Sequence, residues 1–134
     1  MADVLVVAEV AEGKLKKTTH SAVTFARTAA GALGGSYAIL VIGAGASKVL
    51  VADDASLASY LAERYAPTVA AVGKAFAVVV GTASAFGKDL LPRVAARLEA
   101  GYAADIVEVA AEGGKLGYKR PMFAGNAFGI CTVT

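Results

Sequence analysis

The stretch Gly81-Thr-Ala-Ser-Ala-Phe-Gly-Lys-Asp89 is where this sequence most resembles a binding site. Its glycines let backbone N–H groups approach an anion, Thr82 and Ser84 add hydroxyls, and Lys88 adds charge. A helix follows, and helix N-termini attract anions. Gly81, Thr82, Ser84, Gly87 and Lys88 are therefore the candidate anion or nucleotide contacts. The spacing is not that of a Walker A loop, and no Ser or Thr follows the lysine. The plainer reading, which the residues favour, is a tight turn that caps the helix. Gly43-Ala-Gly-Ala46 is weaker still. It lacks the third glycine of a dinucleotide fingerprint, and no helix-length segment follows it.

Catalytic groupings do not stand out. His20 is the sole histidine, and it falls at a loop-to-helix transition that suits an exposed or capping role. A Ser-His-Asp set has no support beyond the presence of one histidine. Cys131 is the sole cysteine. It rules out an intrachain disulfide and a cysteine-only zinc site, and its apolar neighbours suit a packed thiol. Asp53-Asp54 reads as capping chemistry, and no metal site is expected. Lys14, Lys16 and Lys17 form the only basic cluster. With a net charge of +2, a solvated loop accounts for it, and nucleic acid is not an expected partner.

The elements that would position these groups alternate. Residues 3–10 form a β-branched strand ending at Glu9. Thr18 or Thr19 caps a helix over 21–32, which Gly34-Gly35 stops. Strands follow at 36–42 and 48–52. Asp53, Asp54 and Ser56 cap a helix around 58–65, and Pro67 starts a further helical turn through Gly73. A fourth strand covers 75–80. The loop 81–89 leads to a helix over 90–100 with Leu91, Val94, Ala95 and Leu98 at helical spacing, ended by Gly101. A fifth strand covers 105–109. From Gly113 the helical period disappears, and two extended pieces flank a turn near 124–126, either a hairpin or an addition to the sheet edge. Alternation of this kind predicts one α/β domain over residues 1–134, with a mostly parallel sheet, right-handed crossovers and a β-rich tail.

Composition agrees. Hydrophobic residues make up 57% of 134 residues, enough for one core and too many for a disordered chain. The longest apolar runs are strand-length and broken by glycine, well short of the roughly 20 residues a membrane span needs. They read as strands covered on both faces, with no membrane insertion. The opening residues show no visible targeting peptide, which favours a cytoplasmic, bacterial setting.

Two segments resemble the alpha subunit of electron transfer flavoproteins. ASAFGKDLLPRVAARL at 83–98 is similar to that family's loop-plus-helix motif, with Ser84, Gly87, Lys88, Asp89, Leu91, Pro92, Arg93, Ala95 and Leu98 in matching places. Asp105-Ile106 matches the pair that follows. RPMFAGNA at 120–127 resembles its Arg-Pro-x-aromatic-Ala-Gly-Asn-Ala segment through Arg120, Pro121, Phe123, Ala124, Gly125, Asn126 and Ala127. The opening VLVVAE resembles its first strand.

The resemblance covers nearly the whole chain but only the first part of an alpha subunit. It implies a three-layer Rossmann-like fold (adenine nucleotide alpha hydrolase-like) with helices on both sheet faces. It implies a platform shared with a beta subunit, with FAD held in the complete complex by a C-terminal domain of alpha and none held by this chain alone. Electrons would pass from dehydrogenases, such as acyl-CoA dehydrogenases, to a quinone oxidoreductase or another acceptor. This segment would have no catalytic residues of its own. Gly43–Val49 is shorter than the family pattern, which places a helix there. The alternative from a different class is a free-standing nucleotide-binding module, similar to universal stress proteins, using the 81–88 loop.

Overall fold

Among the described residues, Val4–Ala8 is the most buried strand: all five side chains are at most 2% exposed. A β-branched run with no polar alternation must be covered on both faces, and the computed structural model, which describes residues 3–42, 50–52 and 54–133, makes it the central strand β1. Parallel to it run β4 (Tyr37–Ile42) on one side and β6 (Val78–Gly81) on the other, with β5 (Leu50–Ala52) beyond β4. The order is β5-β4-β1-β6. Val4 is level with both Tyr37 and Val78.

Successive residues of a strand face opposite sides, and β1 divides its side chains accordingly. Val4 and Val6 meet α1 (Thr19–Leu33) through Ala22, Ala26, Ala29 and Ala30. Leu5 and Val7 join Leu40 and Ile42 against α2 (Ala62–Gly73) and α3 (Ala85–Leu98), through Tyr65, Ala66, Val69, Leu90 and Val94. The expected three layers are present. Alanine at the buried face of α1 lets that helix sit close to the sheet. Gly34 ends α1 in the left-handed conformation, with Gly35 N–H reaching Ala30 C=O at 2.9 Å, as the glycine pair predicts.

Several boundaries differ from expectation. Between β1 and α1 a small hairpin forms from β2 (Val10–Ala11) and β3 (Lys14–Leu15), turning on Glu12 and Gly13, both at positive φ. Asp54 caps a short 3₁₀ turn at Ala55–Leu57, accepting from the Ser56 N–H at 2.8 Å. Asp53 and Gly43–Val49, including the Gly43–Ala46 motif, the expected strand's start and the expected missing helix, lie outside the described residues. The α2 helix starts at Ala62 and carries Pro67 inside it. The proline does not begin a helix: it sits on the exposed side, where a lost backbone bond is left to water. The α3 helix begins at Ala85, five residues earlier than expected, and Glu99 rather than Gly101 takes the left-handed position at its end.

The largest correction concerns the fifth strand. Residues 105–109 do not extend the parallel sheet. Asp105 has φ +54, which breaks an extended run. Strand β7 starts at Glu108, runs to Glu112, and pairs antiparallel with β8 (Lys115–Met122), which pairs with β9 (Ala127–Thr132). The tail is thus a separate three-stranded sheet, β7-β8-β9. It rests on α1 through Leu116 and through Tyr118, whose ring stacks on Phe25 at 6.3 Å. Among the described residues, no helix is long and apolar enough to cross a membrane.

Candidate functional site

The carboxyl ends of β1 and β6 lie side by side, and this is where open parallel sheets place ligands. Glu9 follows β1 directly and is 8% exposed. Its carboxylate accepts from Lys16 Nζ at 2.8 Å and from Ser84 Oγ at 2.8 Å. Its backbone N–H donates to Thr19 Oγ1 at 3.3 Å. Thr82 Oγ1 donates to the Thr18 carbonyl at 2.9 Å. One buried acid therefore ties together the β2–β3 hairpin, the start of α1 and the loop after β6. Burial works to raise its carboxyl. The hydrogen bonds from Lys16 and Ser84, with the lysine's charge, together outweigh burial and hold it below the ordinary carboxylate value.

The five candidate anion contacts divide. Ser84 caps α3, its Oγ accepting from Gly87 N–H at 3.3 Å. Gly87 is buried, and a Cβ there would collide with the Thr82 carbonyl oxygen. Gly81 lies against Leu91. Lys88 is one turn into the helix and pairs with Asp105 Oδ1 at 2.9 Å. An anion approaching these N–H groups would displace the serine cap and face the Glu9 carboxylate, a like-charge contact. Beside Glu9 lies a pocket of about 180 Å³ walled by Tyr60, Tyr65 and Phe86. The Tyr60 hydroxyl donates to Asp89 Oδ2 at 2.8 Å and the Tyr65 hydroxyl to the Leu57 carbonyl at 2.9 Å. Burial, first, and the neighbouring Asp89 push the Tyr60 hydroxyl well above its ordinary value.

Sequence reasoning did not single out Glu9 as a site residue. The available signal was an acid closing a β-branched strand just ahead of the Lys14–Lys17 cluster.

The remaining motif residues lie in α3 and in the antiparallel sheet. Pro92 lies inside α3, and Arg93 reaches Asp89 at 3.6 Å and Glu63 of α2 at 3.8 Å. Arg120 and Pro121 lie in β8. Phe123, Ala124 and Gly125 form a turn with three successive positive φ values, closed by Asn126 N–H to the Phe123 carbonyl at 3.2 Å. Pairing of Lys119 with Ile130 and of Pro121 with Phe128 puts those four residues on the outer face of the antiparallel sheet. There Ile130 is 70% exposed, Phe128 59%, and Phe123 at the turn 79%. Lys119 covers part of this face, its Nζ 5.3 Å from the Phe128 ring centre and 3.0 Å from Glu108 Oε2.

Cys131 is half-buried on the inner face, its thiol donating to the Tyr118 carbonyl at 3.4 Å. His20 is exposed in the first turn of α1, its carbonyl accepting from Thr24 Oγ1 at 3.0 Å. Among the described residues, no three of His, Cys, Asp and Glu converge as metal ligands.

Comparison with known proteins fits this geometry. Residues 4–133 match the family described as "Electron transfer flavoprotein domain". The chain is 39% identical to the electron transfer flavoprotein subunit alpha of Pseudomonas aeruginosa, over 97% of this chain and 43% of the relative. It is 36% identical to the subunit alpha of Bacillus subtilis, over 93% of this chain and 42% of the relative. It is 40% identical to a probable mitochondrial subunit alpha of Caenorhabditis elegans, over 92% of this chain and 40% of the relative. The chain thus spans about two fifths of the length of the curated relatives it matches. The first of these alignments runs over 143 positions, more than the 134 residues present here, so that relative carries residues this chain lacks. The fold, the matched segment and these likenesses agree: the chain belongs to the electron transfer flavoprotein family and matches its alpha subunits.

Proposed function

We propose that this chain is the platform portion of a two-subunit flavoprotein electron carrier and has no catalytic residues of its own. The observation that carries the reading is the outer face of the β7-β8-β9 sheet. Phe128 and Ile130 stand out from it beside the exposed Phe123 turn, and clustered exposed apolar residues mark interaction surfaces. The partner this face takes is the carrier's beta subunit. The motif residues Arg120, Pro121, Phe123, Gly125 and Asn126 belong to the element that presents it, and Pro92 and Arg93 belong to the helix pair behind the core.

The Glu9 side of the carboxyl edge does not fit FAD. The pocket beside Glu9, about 180 Å³, is below the roughly 300 Å³ at which ligand pockets begin, and the Glu9 carboxylate there would face the pyrophosphate. FAD in the whole carrier is held by residues beyond those of this chain. Gly81, Thr82, Ser84, Gly87 and Lys88 serve the entry into α3 and its tether to Asp105. In the whole carrier, electrons pass from dehydrogenases, such as acyl-CoA dehydrogenases, to a quinone oxidoreductase or another acceptor, in a cytoplasmic setting.

Gel filtration of residues 1–134 after incubation with FAD, followed by flavin absorbance, tests the cofactor part of this reading. The chain is expected to elute without flavin. Stoichiometric retained flavin would contradict it.

A further inference from the structure

The chain has no tryptophan, so its five tyrosines are its most easily oxidised rings. They differ in where a hydroxyl proton could go. A phenol that loses an electron becomes a strong acid, so its oxidation is easy only where a base already sits on the hydroxyl. Among the described residues, Tyr60 is the tyrosine whose hydroxyl donates to a carboxylate, Asp89 Oδ2 at 2.8 Å. At that distance a side chain takes up a proton directly. The Phe86 carbonyl lies farther off, at 3.5 Å. Tyr65 donates to the Leu57 carbonyl, and a backbone carbonyl does not hold a proton.

We infer that Tyr60 and Asp89 form a one-electron donor site, at which small oxidising radicals and one-electron metal oxidants take an electron from the Tyr60 ring while its hydroxyl proton passes to Asp89. In this step the oxidant gains one electron and the Tyr60 O–H bond breaks. A new O–H bond forms on Asp89 Oδ2, and a neutral tyrosyl radical remains. Further features suit the step. Burial, first, and then Asp89 hold the Tyr60 hydroxyl protonated well above its ordinary value, so the electron and the proton leave together. Arg93 lies 3.6 Å from Asp89 Oδ1 and 3.8 Å from Glu63, so the guanidinium still has a carboxylate beside it once Asp89 is protonated. The Tyr60 side chain is 39% exposed, which lets an oxidant approach. Its ring packs on Phe86 at 4.7 Å and edge-on against Tyr65 at 5.1 Å, which holds the hydroxyl on its acceptor. Tyr65 has no base on its own hydroxyl, so the radical stays on Tyr60. The site uses none of the residues of the proposed partner face.

Flash photolysis of the full chain tests this, with photogenerated tris-bipyridine ruthenium(III) as the oxidant and peptide mapping of a nitroso spin trap to locate the radical. The expected result is that tyrosyl radical forms at least about tenfold faster in the parent than in Asp89→Asn, and more slowly in heavy water than in light water. The trap is expected on Tyr60, and the fast phase is expected to vanish in Tyr60→Phe, which keeps the ring contacts. Equal rates in the parent and Asp89→Asn overturn the inference. So does a trap spread over Tyr37 and Tyr102, or found on Cys131, since the carboxylate would then select nothing. If Asp89→Asn does not fold, Tyr60→Phe and the parent decide: a fast phase lost in the variant, with a heavy-water effect in the parent, supports the site, and a fast phase that survives overturns it.

Discussion

Glu9 carries three attachments in a place that water barely reaches, so its removal has a definite cost. Glu9→Ala leaves Lys16 and Ser84 without their shared acceptor and is expected to lower stability by about 2 kcal/mol at pH 7. The pH dependence follows from its lowered carboxyl. A group whose folded value is depressed contributes stability that is present above its unfolded value, near pH 4, and is lost as pH falls through the folded value. Denaturant titrations of parent and variant should therefore converge below about pH 4. A gap that stays constant from pH 7 to pH 3 would remove the charge from the explanation. Gly87 gives a second test. Its missing Cβ makes room for the Thr82 carbonyl, and backbone cannot yield as a flexible side chain does. Gly87→Ala is expected to cost about 3 kcal/mol, and a variant within about 0.5 kcal/mol of the parent, the size of a neutral surface change, would show that the loop simply moves.

At the scale of elements, the antiparallel sheet has two unlike faces. Leu116 and Tyr118 hold the inner one to α1, while Phe128 and Ile130 stand free on the outer one. Ile130→Lys is expected to change stability by less than about 0.5 kcal/mol and to weaken beta-subunit binding at least about tenfold. Chemical denaturation together with a binding titration separates the two effects; a large loss of stability would place Ile130 in the fold instead of the interface. The parallel core was legible in the sequence because its signals are local: β-branched runs, a glycine pair at a helix end, a serine ahead of a helix. What the sequence hid depends on contacts across the chain. The start of α3 was masked because Gly87 looks like a loop residue until the Thr82 carbonyl is seen above it. The 105–109 strand has the right residue types, but which sheet it joins is decided by competition between β6 and β8, and in this structure β8 takes Val107, whose N–H reaches Lys119 at 2.9 Å. Glu9 is not legible as a site residue because a lone acid at a strand end shows no partners in sequence.

For the whole molecule, one layer of sheet between α1 and the α2–α3 pair makes a rigid body, and the antiparallel sheet stands on the α1 side with its apolar face outward. The central claim is that this outward face serves a beta subunit of the carrier. Sedimentation velocity of the chain with and without the beta subunit of an electron transfer flavoprotein from the same source tests that claim most directly. The account predicts that the chain alone self-associates or aggregates, and that adding the beta subunit converts it to a single heterodimer-sized species, an effect lost in Ile130→Lys. A chain that sediments as a well-behaved monomer and is unchanged by the beta subunit would contradict it.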